Sequence, residues 1–125
     1  MITDVWSGLA VYKSDDLLDW KHLPGNLLEA PGTGEDDQVM GGHADVVINN
    51  DRAFLYYFTH PGRRDGTDPH DLFEQRRSSL QVVELFFEDG RLVCDRDQPL
   101  WMRLHQPSRP GINFLEAIRW QQLKV

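Results

Sequence analysis

The sequence predicts an all-β protein made of short antiparallel strand pairs, and three observations carry that expectation. Residues 52–59, Arg-Ala-Phe-Leu-Tyr-Tyr-Phe-Thr, are rich in the aromatic side chains that pack well on a pleated surface. Residues 78–88 place Leu80, Val82 and Glu84 on one face and Gln81, Val83 and Leu85 on the other, the period of two expected of a strand. Asp89-Gly90 is a preferred two-residue hairpin turn, and Asn49-Asn50-Asp51 marks another turn.

Taken in order, Gly8 to Ser14 alternates as a strand and Asp15-Asp16 mark a turn. Leu17 to Leu23 is too short for a capped helix and ends at Pro24-Gly25, so it reads as a turn and a second short strand anchored by Trp20. Residues 29–42 hold four glycines, a proline and the acids Glu35-Asp36-Asp37, the composition of a loop. Strands 43–49 and 52–59 follow as a hairpin. Pro61 to Arg77 is a long polar connection, rich in Gly, Pro, Asp and Arg. The strand from Ser78 to Glu88 turns at Asp89-Gly90 and returns over Arg91 to Asp95. Asn113 to Leu123 fits a helix with Phe114, Leu115 and Ile118 on one side, and fits an edge strand equally well. Strand pairs separated by long loops suggest a repeated sheet unit of the kind that builds propeller blades.

With 125 residues, 40% of them hydrophobic and 26% charged, the chain has the composition of one globular domain. The formal charge of -7, with no run of Lys and Arg, argues against nucleic acid as a partner, because phosphate binding needs a basic surface. No apolar run approaches membrane-spanning length, and the start, Met-Ile-Thr-Asp-Val-Trp-Ser-Gly, has neither the basic nor the apolar region of an export signal. No membrane partner is expected, and the location in the cell stays open. Cys94 is the lone cysteine, so no internal disulfide forms, and beside a strand it reads as a small core residue.

Residues 42–61, two apolar strands joined by a polar turn, are the most informative feature: His43 and Asp45 sit on one face at the start of the first strand, a titratable pair at a sheet edge. A plainer reading stands beside it, in which His43 caps the sheet edge and Asp45 accepts backbone N–H groups of the glycine loop. One His and one Asp two residues apart are only a fragment of a metal-ligand set, and His60, His22 and Cys94 do not complete one. Nucleotide binding has no support, since Gly32-Thr33-Gly34 lacks the phosphate-loop lysine and the third dinucleotide glycine. No nucleophile elbow or Cys-His pattern is present either.

Val-Tyr-Lys-Ser-Asp-Asp-Leu-Leu-Asp-Trp at 11–20, Gly-Gly-His-Ala-Asp-Val-Val at 41–47, Phe-Leu-Tyr-Tyr-Phe-Thr-His-Pro at 54–61 and Arg-Arg-Ser-Ser-Leu-Gln-Val-Val-Glu-Leu at 76–85 together resemble the C-terminal blades of five-bladed β-propeller glycoside hydrolases. The order and spacing are most similar to family 117, the α-1,3-(3,6-anhydro)-L-galactosidases, with family 43 as the broader relative. The resemblance covers residues 5–100 and implies a partial five-bladed propeller of about two to two and a half blades. It implies hydrolysis of a terminal sugar residue of an oligosaccharide, with His43 as general acid in place of one of the usual two carboxylates. An imidazole suits that role, since its reference pKa of about 6.5 lets it hold and release a proton near neutrality. Asp45 would support the imidazolium by its charge. No cofactor is required, although a divalent ion in the central channel is compatible with the fold the resemblance implies.

The carboxylate base of the family pattern lies on a first blade that precedes this segment, so the chain reads as part of a larger propeller. Asp15, Asp16 and Glu35-Asp36-Asp37 offer carboxylates, but the first two sit in a turn and the last three read as a solvated loop. Sheet edges left uncovered by missing blades lead to an expectation of self-association. Trp20 is the aromatic candidate for substrate binding, among Trp6, Trp20, Trp101 and Trp120. Glu84 is a weaker candidate, because an acid inside a strand is costly unless paired. Arg63, Arg64, Arg76 and Arg77 flank the long loop and either grip a hydroxyl-rich or charged ligand or balance Asp65, Asp68, Asp71 and Glu74. Two other readings remain: a non-catalytic β module that binds carbohydrate or assembles with a partner, and a fragment with no function of its own.

Overall fold

A computed structural model describes residues 1–63 and 73–102 of the chain. They form an all-β arrangement of two antiparallel sheets. The first sheet holds β1 (Ile2–Asp4), β2 (Leu9–Lys13) and β3 (Lys21–Leu27). The second holds β4 (Gly42–Asn49), β5 (Arg52–Thr59), β6 (Ser79–Glu88) and β7 (Arg91–Val93), with one helical turn, α1 (Phe73–Arg76), before β6. In both sheets each strand pairs with its neighbour in sequence. No helix among the described residues is long and apolar enough to cross a membrane.

Local chemistry explains the hairpins. Asn50 and Asp51 both take positive φ (50° and 63°), as do Asp89 and Gly90 (48° and 81°), which is the backbone of the mirror-image turn whose twist matches paired strands. Between β2 and β3 the turn is tied by side chains. Ser14 Oγ accepts the Leu17 N–H, and Asp16 Oδ1 accepts those of Leu18 and Asp19, at 2.8–2.9 Å.

The strand expected before Pro24 instead starts after Trp20 and runs through Pro24-Gly25. Tyr12 pairs with His22 and Ala10 with Asn26, so three residues of β3 stand opposite Val11 alone. This bulge on an edge strand is the one kind of place where a residue without an N–H and a glycine at φ 83° fit inside a sheet. Strand β1 was not expected; three residues are too few to show a period.

The core lies between the sheets. Leu9, Val11, Leu27 and Leu28 pack against Leu55, Tyr57, Val83 and Leu85. Each buried leucine contributes about 1.5–3 kcal/mol relative to leaving it in water. The register pairs Leu55 with Val83 and Ala53 with Leu85, so one face of β5 and β6 is turned to this core, as the alternation at 78–88 indicates. Cys94 packs at its margin, where burial pushes the thiol pKa up. The opposite face carries Phe54, buried beneath the Arg52 guanidinium, and the exposed Phe58 and Leu80. The helix or strand considered at Asn113–Leu123 lies outside the described residues, as does Trp120.

The loop at 29–41 contains the largest departure from expectation. Glu35 is exposed as expected, but Asp36 and Asp37 are tied to arginines. Asp37 is 4% exposed and accepts two hydrogen bonds from Arg96 through Nε (2.9 Å) and Nη2, and one from the Tyr57 hydroxyl at 3.0 Å. Arg96 also donates to the carbonyls of Ala30 and Val39, which ties the loop down. Asp36 forms a two-point pair with Arg77 at 2.6 and 2.7 Å. A buried carboxylate is tolerated at Asp37 because both of its oxygens accept hydrogen bonds, two of the three from a guanidinium.

Candidate functional site

His43 stands at the entrance to β4, and the local backbone is irregular there. Gly42 pairs with Phe58 and Asp45 with Tyr56, so the strand bulges between them. His43 takes φ 51° inside that bulge, a left-handed conformation uncommon for a residue with a side chain. The simple alternation that places His43 and Asp45 on one face does not continue across a bulge. Asp45 is exposed and its Oδ1 accepts the N–H of the next residue, Val46, at 2.8 Å, rather than that of the glycine loop.

The carboxylate beside His43 belongs to Asp4, at the end of β1. Asp4 Oδ2 accepts the His43 backbone N–H at 2.9 Å and lies 3.8 Å from His43 Nδ1. Its Oδ1 accepts the Trp6 N–H at 3.0 Å. Burial works to raise the Asp4 pKa, but these two N–H donors and the nearby His43 ring outweigh it and hold the carboxyl below its ordinary value. Trp6 is itself left-handed, at φ 63°. One carboxylate therefore pins two strained residues side by side, and such strain persists only where the surroundings over-determine it. Gly42 makes this approach feasible: a Cβ there would stand 2.6 Å from Asp4 Oδ2.

The result is a cleft of about 130 Å³ between the two sheets' ends. Trp6, Phe58, Met40 and Val39 provide its apolar wall; His43, His60 and Arg63 provide its polar groups, with Asp4 at one side. The Trp6 indole is 79% exposed and meets the His43 ring edge-on at 6.4 Å between centroids. The His43 side chain is 59% exposed, with Nδ1 turned toward Asp4. His60 Nδ1 lies 3.2 Å from Ser78 Oγ and 3.3 Å from the Arg77 carbonyl. Larger hollows of about 390 and 430 Å³ flank β7, but among their ionisable lining groups Arg96 and Glu84 are already committed to ion pairs.

The other residues singled out in the sequence lie elsewhere. Trp20 is at the far end of the first sheet, next to the Lys13–Lys21 pair, whereas Asp4 pairs with Leu9 at the near end. Its indole N–H is held by the Leu17 carbonyl at 3.2 Å. Glu84 is paired, not lone: Arg52 grips both its oxygens at 2.5–2.6 Å on the face of the second sheet away from the core. That pair holds the Glu84 pKa down. Arg64, Asp65, Asp68 and Asp71 lie outside the described residues. No group of three His, Cys, Asp or Glu suited to a metal ion occurs among the described residues.

No protein-family model matches this chain, and no curated protein is similar to it. The chemistry of the cleft therefore rests on its geometry. An exposed indole face offers a stacking platform for an apolar sugar face. A histidine whose Nδ1 faces a carboxylate keeps Nε2 for a ligand, the arrangement that orients an imidazole for proton donation. Asp4 is the sole carboxylate among the cleft's described residues, and it is engaged by two backbone N–H groups. Asp4, Trp6 and His60 were not assigned to this site from sequence; only an acid four residues from the start and an aromatic two residues on gave a signal, too weak to connect with a strand 39 residues away.

Proposed function

We propose that the chain binds carbohydrate in the cleft between Trp6 and His43, as part of a β-propeller glycoside hydrolase similar to family 117 or family 43. The observation that carries this reading is the pinning of an exposed indole and an exposed imidazole, both left-handed, by one carboxylate. In this reading Trp6 stacks on the sugar and His43, oriented by Asp4 rather than Asp45, donates a proton to the leaving oxygen. The small volume of the cleft, against about 300–1,000 Å³ for sites that enclose drug-sized ligands, favours a single sugar unit at a chain end. Each sheet is a meander, the connectivity of a propeller blade, which supports the larger assembly.

A second reading, a non-catalytic carbohydrate-binding module, is favoured by one specific observation. The described residues of the cleft hold no second carboxylate to serve as base. Calorimetric titration with a panel of oligosaccharides that includes neoagaro-oligosaccharides, with product analysis of the same mixtures, separates the two. Turnover that disappears in His43→Ala supports the hydrolase. Binding without turnover supports the module, and binding to no member of the panel contradicts both.

A further inference from the structure

Resting on the saccharide reading above, we propose that this cleft takes an acidic sugar, a uronate or a sulfated residue, with Arg63 holding the anionic group. Arg63 is the one arginine or lysine among the described residues that line the cleft, facing a site whose single carboxylate, Asp4, is taken up by backbone N–H groups. The planar guanidinium fork of an arginine matches a carboxylate or sulfate.

Two contacts fix Arg63 in place. Its backbone N–H donates to the His60 carbonyl at 2.9 Å in the turn that follows β5, and its Nε donates to the Gln75 carbonyl at 2.9 Å. Both terminal guanidinium nitrogens are left with no hydrogen bond or ion pair among the described residues. They are donors on a residue that lines the cleft. Asp36, Asp37 and Glu84, the acids that answer other arginines, are each engaged by Arg77, Arg96 and Arg52. Asp4, the acid lining the same cleft, is engaged by the Trp6 and His43 N–H groups. A neutral sugar would leave the Arg63 donors facing only hydroxyls, whereas an anion accepts two charge-assisted hydrogen bonds.

The test compares digalacturonate, the neutral galactobiose and inorganic sulfate by calorimetry at one pH and ionic strength. The wild-type chain, Arg63→Gln and Arg63→Lys are titrated, with circular dichroism confirming that each is folded. The expected result is at least a tenfold preference for digalacturonate over galactobiose, lost in Arg63→Gln and partly kept in Arg63→Lys, with the affinity for digalacturonate falling more than that for galactobiose. Equal affinity for the two sugars overturns this inference and leaves the saccharide reading standing. A preference that survives Arg63→Gln overturns the role of Arg63. Sulfate binding as tight as digalacturonate makes the site one for free anions and overturns the inference. Binding of none of the three overturns the inference, while the saccharide reading is decided by the wider oligosaccharide panel.

Discussion

Asp4 and His43 are joined twice: Asp4 Oδ2 accepts the His43 backbone N–H at 2.9 Å and stands 3.8 Å from its Nδ1. The first contact holds the backbone in the bulge at the start of β4, and the second leaves Nδ1 of the ring facing the carboxylate. Because the same carboxylate takes the Trp6 N–H, the geometry of the whole cleft depends on one side chain from the first sheet.

Replacing that carboxylate is expected to loosen both strained residues. Asp4→Asn can accept through one oxygen only, so one of the two N–H donors loses its partner, at a cost of about 2 kcal/mol. Urea denaturation measures the stability loss, and saccharide affinity is expected to fall with it.

The pH dependence follows from the depressed Asp4 pKa. A carboxyl that ionises more readily in the folded chain adds stability above its unfolded value of about 4, and that stability is lost as pH falls through the folded value. The acid limb of a stability–pH curve is therefore expected to be shallower in Asp4→Asn than in the wild type. Identical limbs would remove Asp4 from the account.

Gly42→Ala probes the same contact from the other side. Its Cβ would meet Asp4 Oδ2 at 2.6 Å, so the pinned carboxylate must move, costing about 1–3 kcal/mol as an overpacked contact. Loss of saccharide binding in a folded Gly42→Ala chain is the expected outcome.

The Asp37–Arg96–Tyr57 network carries stability rather than ligand chemistry. Removing one partner of a buried pair costs about 3–5 kcal/mol, so Arg96→Met is expected to destabilise the chain by that much in urea. Burial pushes the Tyr57 phenol far above its ordinary value of 10, with Asp37 adding to the rise and Arg96 opposing it. Stability should consequently fall as pH rises past 10, where the unfolded chain releases this proton and the folded chain does not. Alkaline absorbance titration checks it: Tyr57 is expected to ionise only as the chain unfolds.

Strand β4 is an edge with Val46, Val47 and Ile48 exposed, and an apolar edge invites pairing with another chain. Concentration-dependent association in sedimentation is the expected behaviour, and Ile48→Lys should weaken it.

Much of this fold was legible from local chemistry. The β4–β5 and β6–β7 hairpins followed from alternation, aromatic content and the turns at Asn50-Asp51 and Asp89-Gly90, all written within a few residues. Cys94 at the core margin followed from its type. The site was less legible. His43 was recognisable, but the bulge that separates it from Asp45 depends on Asp4, which is distant in sequence and contributes no periodic signal. Asp37 looked solvated because its partner Arg96 lies 59 residues away. Choice of charge partner is made by tertiary packing, so neither the burial of Asp37 nor the pairing of Glu84 with Arg52 had a local signature. Pro24-Gly25 misled for a related reason: a strand end and an edge bulge share the same residues.

The most direct test of the central claim is a two-dimensional NMR titration that follows the tryptophan indole N–H resonances while the oligosaccharide panel is added to saturation. The account predicts that the Trp6 resonance shifts while those of Trp20 and Trp101 stay in place. A Trp6 resonance unmoved by every saccharide would contradict it, and a shift centred on Trp20 instead would place the binding surface at the opposite end of the first sheet.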